Sequence, residues 1–316
     1  MEIQLEADFV QSVCWPFLQS AQNADGGWGF HPGFVSRVEP TCWALHALLQ
    51  ASPPAQVEEA ILGGFRFLRM AQLSDGAWPS SPKEKAGCWV TSLACWVLLS
   101  EKGSAPAVAA GMKWLCDDWP RDSTPWRRLL RRFSSDRELS TQNDSYRGWG
   151  WTPGTSSWVE PTSFALIAFG ESPQELLPPT ANRRRHLAEA MLYDRMCPGG
   201  GWNCGNPRVY GVAGEPLVIP TVWALLAMRN HPDRSEAAMS LEWLERVLDN
   251  VQGPGSLALA RICLQCYGRK WPSATLSMRD VYQRNEFFGS IPVAAWLCLA
   301  WGSTVHWLSS ATQERT

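Results

Sequence analysis

Three glutamates are the residues best suited to acid–base chemistry. Glu39 and Glu160 each stand in a Glu-Pro-Thr phrase that opens an apolar run, and Glu215 lies shortly before a third such run. An apolar environment would keep a carboxyl group protonated near neutral pH, as a general acid requires. We therefore predict that any proton donor is one of these three. The alternative is that Glu39 and Glu160 only stabilise the first turn of a helix through its dipole.

Aromatic side chains recur inside the same apolar runs, and the chain contains 19 tryptophans among 316 residues. Their faces could shape a cavity for an apolar ligand and stabilise a carbocation by cation–π attraction. Core packing is the alternative role for each of them. The predicted lining consists of Trp43, His46, Trp89, Trp96, Phe164, Phe169, Trp223, Phe287, Phe288 and Trp296 from the runs, and Tyr210 from a loop.

Metal chemistry has weaker support. Cys42 and His46 are four residues apart in an apolar run, so they would share a helix face, but no third ligand is evident. The pair Asp117-Asp118 falls at the end of an amphipathic segment, where a solvated helix end explains it. We predict no metal and no cofactor. The ten cysteines fit buried, reduced thiols of a cytoplasmic protein.

A repeated turn organises the chain. The stretch from Gln22 to Trp28 returns fifty residues later from Gln72 to Trp78, with Gln, Asp, Gly and Trp at the same offsets. A Thr follows each Trp after thirteen residues, and each Thr opens an apolar run. Trp149 with Thr162 forms a third copy, and Trp202 with Thr221 forms a fourth that is six residues longer. Such self-similarity indicates a repeat architecture.

Amphipathic and apolar helical segments alternate along the chain. A helix that is apolar all round must be buried on all sides, whereas an amphipathic helix covers a core. Six apolar helices inside six amphipathic ones predict a closed all-α (α/α)6 barrel, because an open solenoid would leave the apolar helices facing water. The predicted pairs are 7–22 with 39–50, 55–72 with 88–100, 106–117 with 160–171, 182–196 with 219–230, 235–250 with 255–268, and 276–285 with 287–301.

Two stretches interrupt this alternation within a predicted single domain, residues 1–316. The segment 118–148 is an insertion, and 203–218 is an extended loop that should bring Glu215 and Tyr210 to the mouth where Glu39 and Glu160 lie. Within the insertion, residues 125–133 form a basic amphipathic stretch. This stretch could contact a membrane surface peripherally, cover a ligand as a lid, or simply face solvent.

Bulk properties exclude several classes of protein. The formal net charge of −2 is unlike the basic field of a generic nucleic-acid binder. No run of eighteen apolar residues suggests a membrane span, and no secretory leader is evident at the first residues. We therefore expect a cytoplasmic protein with an apolar small-molecule partner.

The repeated turns resemble the QW motifs of squalene–hopene cyclases and related terpene cyclases, whose wider relatives are the prenyltransferase and squalene-oxidase repeat proteins. The segment Gly64–Leu68 precedes Gln72 at the spacing typical of that family, and Pro198–Asn203 is similar to its repeat turn. The resemblance implies one (α/α)6 barrel with a central cavity that opens at one end. It also implies an Asp-rich acid motif, which is absent here. Glu39 and Glu160 occupy the corresponding position, each followed by Pro.

Three functional hypotheses follow. The first is a terpene-cyclase-like enzyme that folds an isoprenoid substrate and uses a carboxylate as acid or base. The second is a non-catalytic (α/α)6 module that binds a lipid or a protein. The third is a subunit similar to a protein prenyltransferase, which would need zinc ligands that the sequence does not provide.

Overall fold

The chain folds into an all-α toroid. In this computed structural model the described residues are 8–50, 57–121, 125–126, 129, 142–209, 211–271, 289–302 and 308. Six helices form an inner ring, and the described outer layer consists of five more. The inner helices are α2 (Val38–Leu48), α4 (Val90–Leu98), α6 (Val159–Glu171), α8 (Val218–Ala227), α10 (Pro254–Cys266) and α11 (Ile291–Trp301).

The outer helices alternate with the inner ones along the chain, as the sequence predicted. They are α1 (Trp15–Ser20, continuing a π-helical turn Val10–Cys14), α3 (Glu58–Ala71), α5 (Ala105–Asp117), α7 (Ala181–Asp194) and α9 (Ser235–Val247). Short 3-10 helices cover Gln174–Leu176 and Leu248–Asn250, and two short strands, β1 (Arg208–Val209) and β2 (Val212–Ala213), pair as an antiparallel hairpin within the extended loop.

The inner helices begin alike because proline occupies the first turn of most of them. Pro40, Pro161 and Pro220 each lie just before the repeat Thr, and Pro254 and Pro292 begin the last two inner helices. Proline is tolerated there because the N–H groups of a first turn have no partner within the helix. Almost every residue of these helices is buried.

The inner ring is closed. Each inner helix packs against the next one along the chain, and α11 packs against α2. The backbone N–H of Ile291 donates to the carbonyl of Phe30 (2.9 Å), two residues after Trp28. Earlier repeats along the chain are joined by the same kind of bond. The backbone N–H groups at the start of α2, α4 and α6 donate to the carbonyls of Ser80, Trp151 and Cys204, each of which lies two residues after a repeat Trp. The last repeat therefore contacts the first as the internal repeats contact one another.

Each repeat turn ties an outer helix to an inner one through its Trp. The backbone N–H of Trp28 donates to Oγ1 of Thr41 (2.9 Å), and its indole N–H donates to the carbonyl of Leu18 (2.7 Å). The spacing of Trp and Thr in the sequence thus marks a direct hydrogen bond. Trp78, Trp149 and Trp202 repeat both bonds, with Thr91, Thr162 and Thr221 as acceptors of the backbone N–H and Leu68, Leu115 and Leu192 as acceptors of the indole N–H.

The glutamines join neighbouring repeats. Nε2 of Gln22 donates to the carbonyl of Gly26 in its own turn and to that of Ala60 in the next outer helix, both at 2.8 Å. Gln72 makes the corresponding pair of bonds to Gly76 and Ala107. Each Gln therefore links its own turn to the next outer helix.

Arg184 of α7 connects the helices at the third turn, where the insertion interrupts the repeat. Its Nη2 donates to the carbonyls of Asp118 (2.9 Å) and Gly148 (3.2 Å). Its guanidinium lies 4.1 Å from the ring centroids of both Trp119 and Trp149. Burial lowers the pKa of Arg184 to about 10, which still leaves it charged at neutral pH. The two ends of the insertion are therefore held by one buried cation.

Some predicted features lie outside the described residues. These are the outer helix at about 276–285, the side chains of Phe287, Phe288 and Tyr210, and the arginines and Phe133 of the basic stretch 125–133. Within that stretch the described Trp126 and Leu129 are exposed. Within the described part of the chain, no helix has the length and apolar character needed to cross a membrane.

The Trp–Thr bond should contribute measurably to stability. In Thr91→Val the shape is kept, but the buried N–H of Trp78 loses its acceptor, which should lower the free energy of unfolding by about 1–3 kcal/mol. The measurement is chemical denaturation followed by circular dichroism.

Thr155→Val is the matched control, because Thr155 is exposed and water can replace its bond to the carbonyl of Thr152. Equal stability losses in the two variants would contradict this role of the repeat Thr.

Candidate active site at the barrel mouth

The position two residues before each repeat Thr is occupied by Glu39, Trp89, Glu160 and Ile219 around the ring. The inner helices run in the same direction, so their first turns meet at one end of the barrel, which we call the mouth. Glu39 of α2 and Glu160 of α6 lie on either side of Trp89, the residue immediately before α4. All three side chains are partly exposed, as expected at an opening.

Glu39 is the carboxyl group with the most strongly altered acidity at the mouth. Burial, and to a smaller extent the negative charge of Glu160, raise its pKa from the ordinary glutamate range to about 7. The nearby indole of Trp43, one helical turn along α2, lowers the pKa and partly offsets both effects. Glu39 is therefore about half protonated at neutral pH, the state in which a carboxyl group can donate a proton and later accept one.

Glu160 lies beside the start of the extended loop. Burial raises the pKa of Glu160. The pKa of the nearby Cys204 thiol is raised by burial and by the negative charge of Glu160. The backbone N–H of Val159 donates to the carbonyl of Cys204 (3.4 Å), which brings the loop to the first turn of α6. The structure thus brings Glu39, Glu160 and the first residues of this loop together.

Glu215 has a different environment. Its side chain is exposed. The pKa of the Cys197 thiol in the preceding turn is raised by burial and by the negative charge of Glu215. Glu215 therefore lacks the apolar surround that we expected for a proton donor. Glu39 and Glu160 are the better candidates among the three.

An aromatic layer lies below the carboxylates and crosses the barrel axis. Trp43 of α2 stacks on Trp223 of α8, with ring centroids 5.3 Å apart, and these two helices are opposite each other in the ring. Phe164 of α6 lies 6.0 Å from Trp43 and 4.8 Å from Trp223. Trp96 and Trp296 contact Trp43 edge-on from α4 and α11. Trp43 thus contacts aromatic rings from four other inner helices.

The aromatic layer is continuous with the mouth through Trp89. The ring of Trp89 stacks on Phe164 (5.2 Å) and meets Trp151 edge-on (5.0 Å). Trp151 was not among the predicted lining residues. Its position two residues after Trp149, where each repeat contacts the preceding inner helix, is the signal that could have identified it.

Phe169 was predicted to line the barrel, but its ring packs against Trp149 in the turn between the layers (5.6 Å). Phe164 and Phe169 are five residues apart, which places them about 140° apart around a helix with 3.6 residues per turn. One of them faces the axis, and the other faces the outer layer.

His46 lies at the opposite end of α2 from Glu39. It is buried, its ring is 4.4 Å from Trp96, and burial lowers its pKa to about 3. Burial also raises the pKa of the Cys42 thiol, so this cysteine is protonated rather than a thiolate, the form that binds metals. Within the described ranges, no three His, Cys, Asp or Glu side chains are grouped as metal ligands.

No protein-family model and no curated protein matches the chain. Solved structures do resemble it. A variant of the type II terpene cyclase MstE from Scytonema, in complex with geranylgeranyl dihydroxybenzoate, superimposes with a TM-score of 0.56 at 14% identity, over 94% of this chain and 79% of that one.

Two other structures superimpose similarly well. A protein from Actinoplanes gives a TM-score of 0.55 at 18% identity, over 92% of this chain and 80% of that one. An α-1,6-mannanase of Salegentibacter, in complex with α-1,6-mannotriose, gives 0.54 at 8% identity, over 94% and 97%. At these identities the similarities establish the toroidal fold, which enzymes of several kinds share with this chain.

Proposed function

We propose that this protein is a terpene-cyclase-like enzyme that folds an apolar, isoprenoid substrate at the mouth of the barrel, against the aromatic layer. The observation that carries the proposal is the position of Glu39, a carboxyl group with a raised pKa at the mouth, directly above the stacked rings of Trp43 and Trp223. In this scheme Glu39 donates a proton to the substrate, and the faces of Trp43, Phe164 and Trp223 stabilise the cation that results. Trp89 and Trp296 complete the proposed lining. Trp96 and His46, which the sequence also predicted to line it, lie toward the other end of the barrel.

The charge of Glu160 determines how the acid works. A neighbouring negative charge makes Glu39 a weaker acid but keeps more of it protonated at neutral pH. A carboxyl group of this kind is suited to an activated or more basic acceptor, such as an epoxide, rather than to a simple alkene. Glu160, whose own pKa is less perturbed, can take up a proton at the end of the reaction.

The alternatives remain distinguishable by experiment. A non-catalytic module would bind the same apolar ligand without converting it. A prenyltransferase-like subunit would retain about one zinc per chain, which elemental analysis detects. A glycoside hydrolase is a further candidate, because a pair of carboxylates with unequal acidity is typical of that reaction. An oligosaccharide panel tested beside the polyprenyl compounds separates this candidate from the cyclase.

We also propose peripheral membrane contact at the mouth, where a sparingly soluble substrate would enter. Eight exposed large apolar side chains belong to segments that lead from an outer helix to an inner helix, and these segments end at the mouth. This rim, as we call it, consists of Phe30, Phe34, Val35, Trp119, Trp126, Leu129, Val212 and Leu217. Trp126 and Leu129 belong to the basic stretch 125–133.

The acidity of Glu39 can be measured directly. In protein labelled with ¹³C at glutamate carboxyls, we expect one signal, absent in Glu39→Gln, to titrate with a midpoint of about 7. In Glu160→Gln this midpoint should fall, because the neighbouring charge is removed.

Stability provides the accompanying test. A carboxyl group with a raised pKa binds more protons in the folded state, so the folded protein should lose stability as the pH rises from the ordinary glutamate range through about 7. Glu39→Gln should flatten this dependence. A Glu39 signal that titrates in the ordinary range would contradict the proposed acid.

Activity is tested with a panel of polyprenyl alcohols, diphosphates and epoxides, with mass spectrometry of the products. Glu39→Gln should lower turnover about a hundredfold or more, the usual contribution of a general acid, without changing the melting temperature greatly. Glu215→Gln is the matched control, because Glu215 is an exposed carboxylate at the same end. We expect it to retain activity.

Full activity of both Glu39→Gln and Glu160→Gln would exclude the proposed mechanism. Ligand binding by the native protein without any product would favour the non-catalytic module.

Membrane contact is tested by sedimentation with phosphatidylcholine vesicles. Phe34 is 60% exposed on the rim, and burying a phenylalanine contributes about 1.5–3 kcal/mol. Phe34→Ser should therefore lower partitioning about tenfold. Leu62→Ser is the control, because Leu62 is 57% exposed but lies on the flank of α3, in the half of the helix away from the mouth. Equal effects of the two substitutions, or no vesicle binding by the native protein, would contradict this contact.

A further inference from the structure

One inner helix presents no side chain at the level of the glutamates. That level is given by the first backbone hydrogen bond of each inner helix. In α2 the bond runs from the repeat Thr to the carbonyl of Arg37, and in α10 it runs from Leu257 to the carbonyl of Gly253. The residue midway between the two ends is Glu39 in α2 and Gly255 in α10. A glycine therefore takes the place on α10 that a glutamate takes on α2 and on α6.

This glycine lies across the barrel from the reactive half of the mouth. The two glutamates stand on either side of Trp89, at the start of α4. In the order of the ring, α10 is the helix opposite α4. Neighbouring helix axes pack about 8–10 Å apart, so opposite axes of a six-membered ring are about 16–20 Å apart. Gly255 thus marks the far side of the mouth for any molecule held between the glutamates.

Trp296 of α11 lies against α10 because Gly255 has no side chain. A Cβ atom at Gly255 would lie 3.1 Å from both Cε3 and Cζ3 of Trp296, and 3.3 Å from Cγ2 of Val293. A side chain at this position would therefore displace the indole ring. Gly255 is not among the glycines with a positive φ, so room for the ring, rather than backbone conformation, accounts for a glycine here.

The Trp296 ring is the part of this side that a ligand can reach. Val293 and Trp296 are the partly exposed residues of α11, whose other nine residues are buried. Trp43 and Trp223 of the aromatic layer are each only 1% exposed, and Trp296 meets Trp43 edge-on (5.7 Å). The layer therefore forms a floor, and Trp296 forms the far wall.

We infer that Gly255 sets the chain length of the substrate, because it fixes the position of Trp296. This inference rests on the proposed function and adds an orientation to it. The reactive group lies in front of Trp89, between the glutamates, and the hydrocarbon tail crosses the floor to Trp296. The far half of the mouth offers the tail apolar groups, since α8, α10 and α11 contribute Ile219, Gly255 and Val293 there. An isoprenoid with one polar end matches this division.

Binding of two isoprenoid alcohols tests the inference without requiring turnover. Farnesol has one more isoprene unit than geraniol, so its tail extends further toward the wall. Gly255→Val should weaken farnesol binding about tenfold and geraniol binding less than about twofold, because the displaced ring takes the space of the last unit. Equilibrium dialysis of the whole protein with each alcohol measures both affinities.

Gly253→Val is the matched control in the same turn. A Cβ atom at Gly253 would meet only Ser256, at 3.6 Å and beyond, and the φ of −78° accepts any residue. We expect this variant to bind both alcohols as the native protein does. Adding Trp296→Phe to Gly255→Val should restore farnesol binding, since a smaller ring leaves room for the valine. Gly255→Ala, which shifts the ring less, should give a smaller loss in the same direction and decides the question if the valine variant does not fold.

Equal weakening of both alcohols in Gly255→Val, the same loss in Gly253→Val, or no recovery on adding Trp296→Phe would overturn the inference. If the native protein binds neither alcohol, the inference fails together with the apolar substrate of the proposed function. Selective binding of this kind without any turnover would support the inference and remove only the proposed reaction.

Discussion

The fold depends on the burial of six helices that have no polar face. An inner helix such as α8 presents apolar side chains in every direction, so it needs neighbours on every side. The adjacent inner helices cover two sides and the outer layer covers the third. The fourth side is covered across the barrel axis, where Trp43 and Trp223 meet from opposite helices. A closed ring is the arrangement that satisfies all four sides at once.

Closing such a ring creates a second requirement, because the turns between layers bury backbone N–H groups. The repeat Thr meets it by accepting the N–H of the repeat Trp, while the Trp indole donates to a carbonyl in the last turn of the preceding outer helix. These bonds also set the height of each inner helix. Glu39 and Glu160 therefore arrive at the same level at the mouth, two residues before their Thr. The proposed acid–base chemistry thus depends on the Trp–Thr bonds of the repeat turns, because these bonds position the two glutamates.

The two ends of the barrel differ in electrostatic character because the inner helices are parallel. At the mouth, the helix N termini favour an ionised carboxylate by about 0.3–1 kcal/mol each. The raised pKa of Glu39 means that burial and the charge of Glu160 outweigh this effect. At the other end the helix C termini favour cations, and there Arg229 is paired with Glu171. The two ends of one fold therefore favour charges of opposite sign at their helix termini.

The sequence determined the helices and their order, because both follow from local periodicity and from the recurring Trp and Thr. The apolar run predicted at 39–50 is the helix Val38–Leu48, and even Thr221, six residues late, accepts the N–H of its Trp. Closure could be argued from the apolar character of the runs, but the packing of α11 on α2 and the bond from Ile291 to Phe30 established it.

Tertiary structure decided which side chains meet. Phe169 faces away from the barrel axis, and Arg184 connects the helices where the insertion interrupts the repeat. Glu171 and His46 line the same pocket, although no sequence motif indicates it. The partner of each of these residues lies on another helix, so no local pattern encodes it. The same holds for the acidity of Glu39, which depends on burial by neighbours and on the charge of Glu160, a residue 121 positions further along the chain.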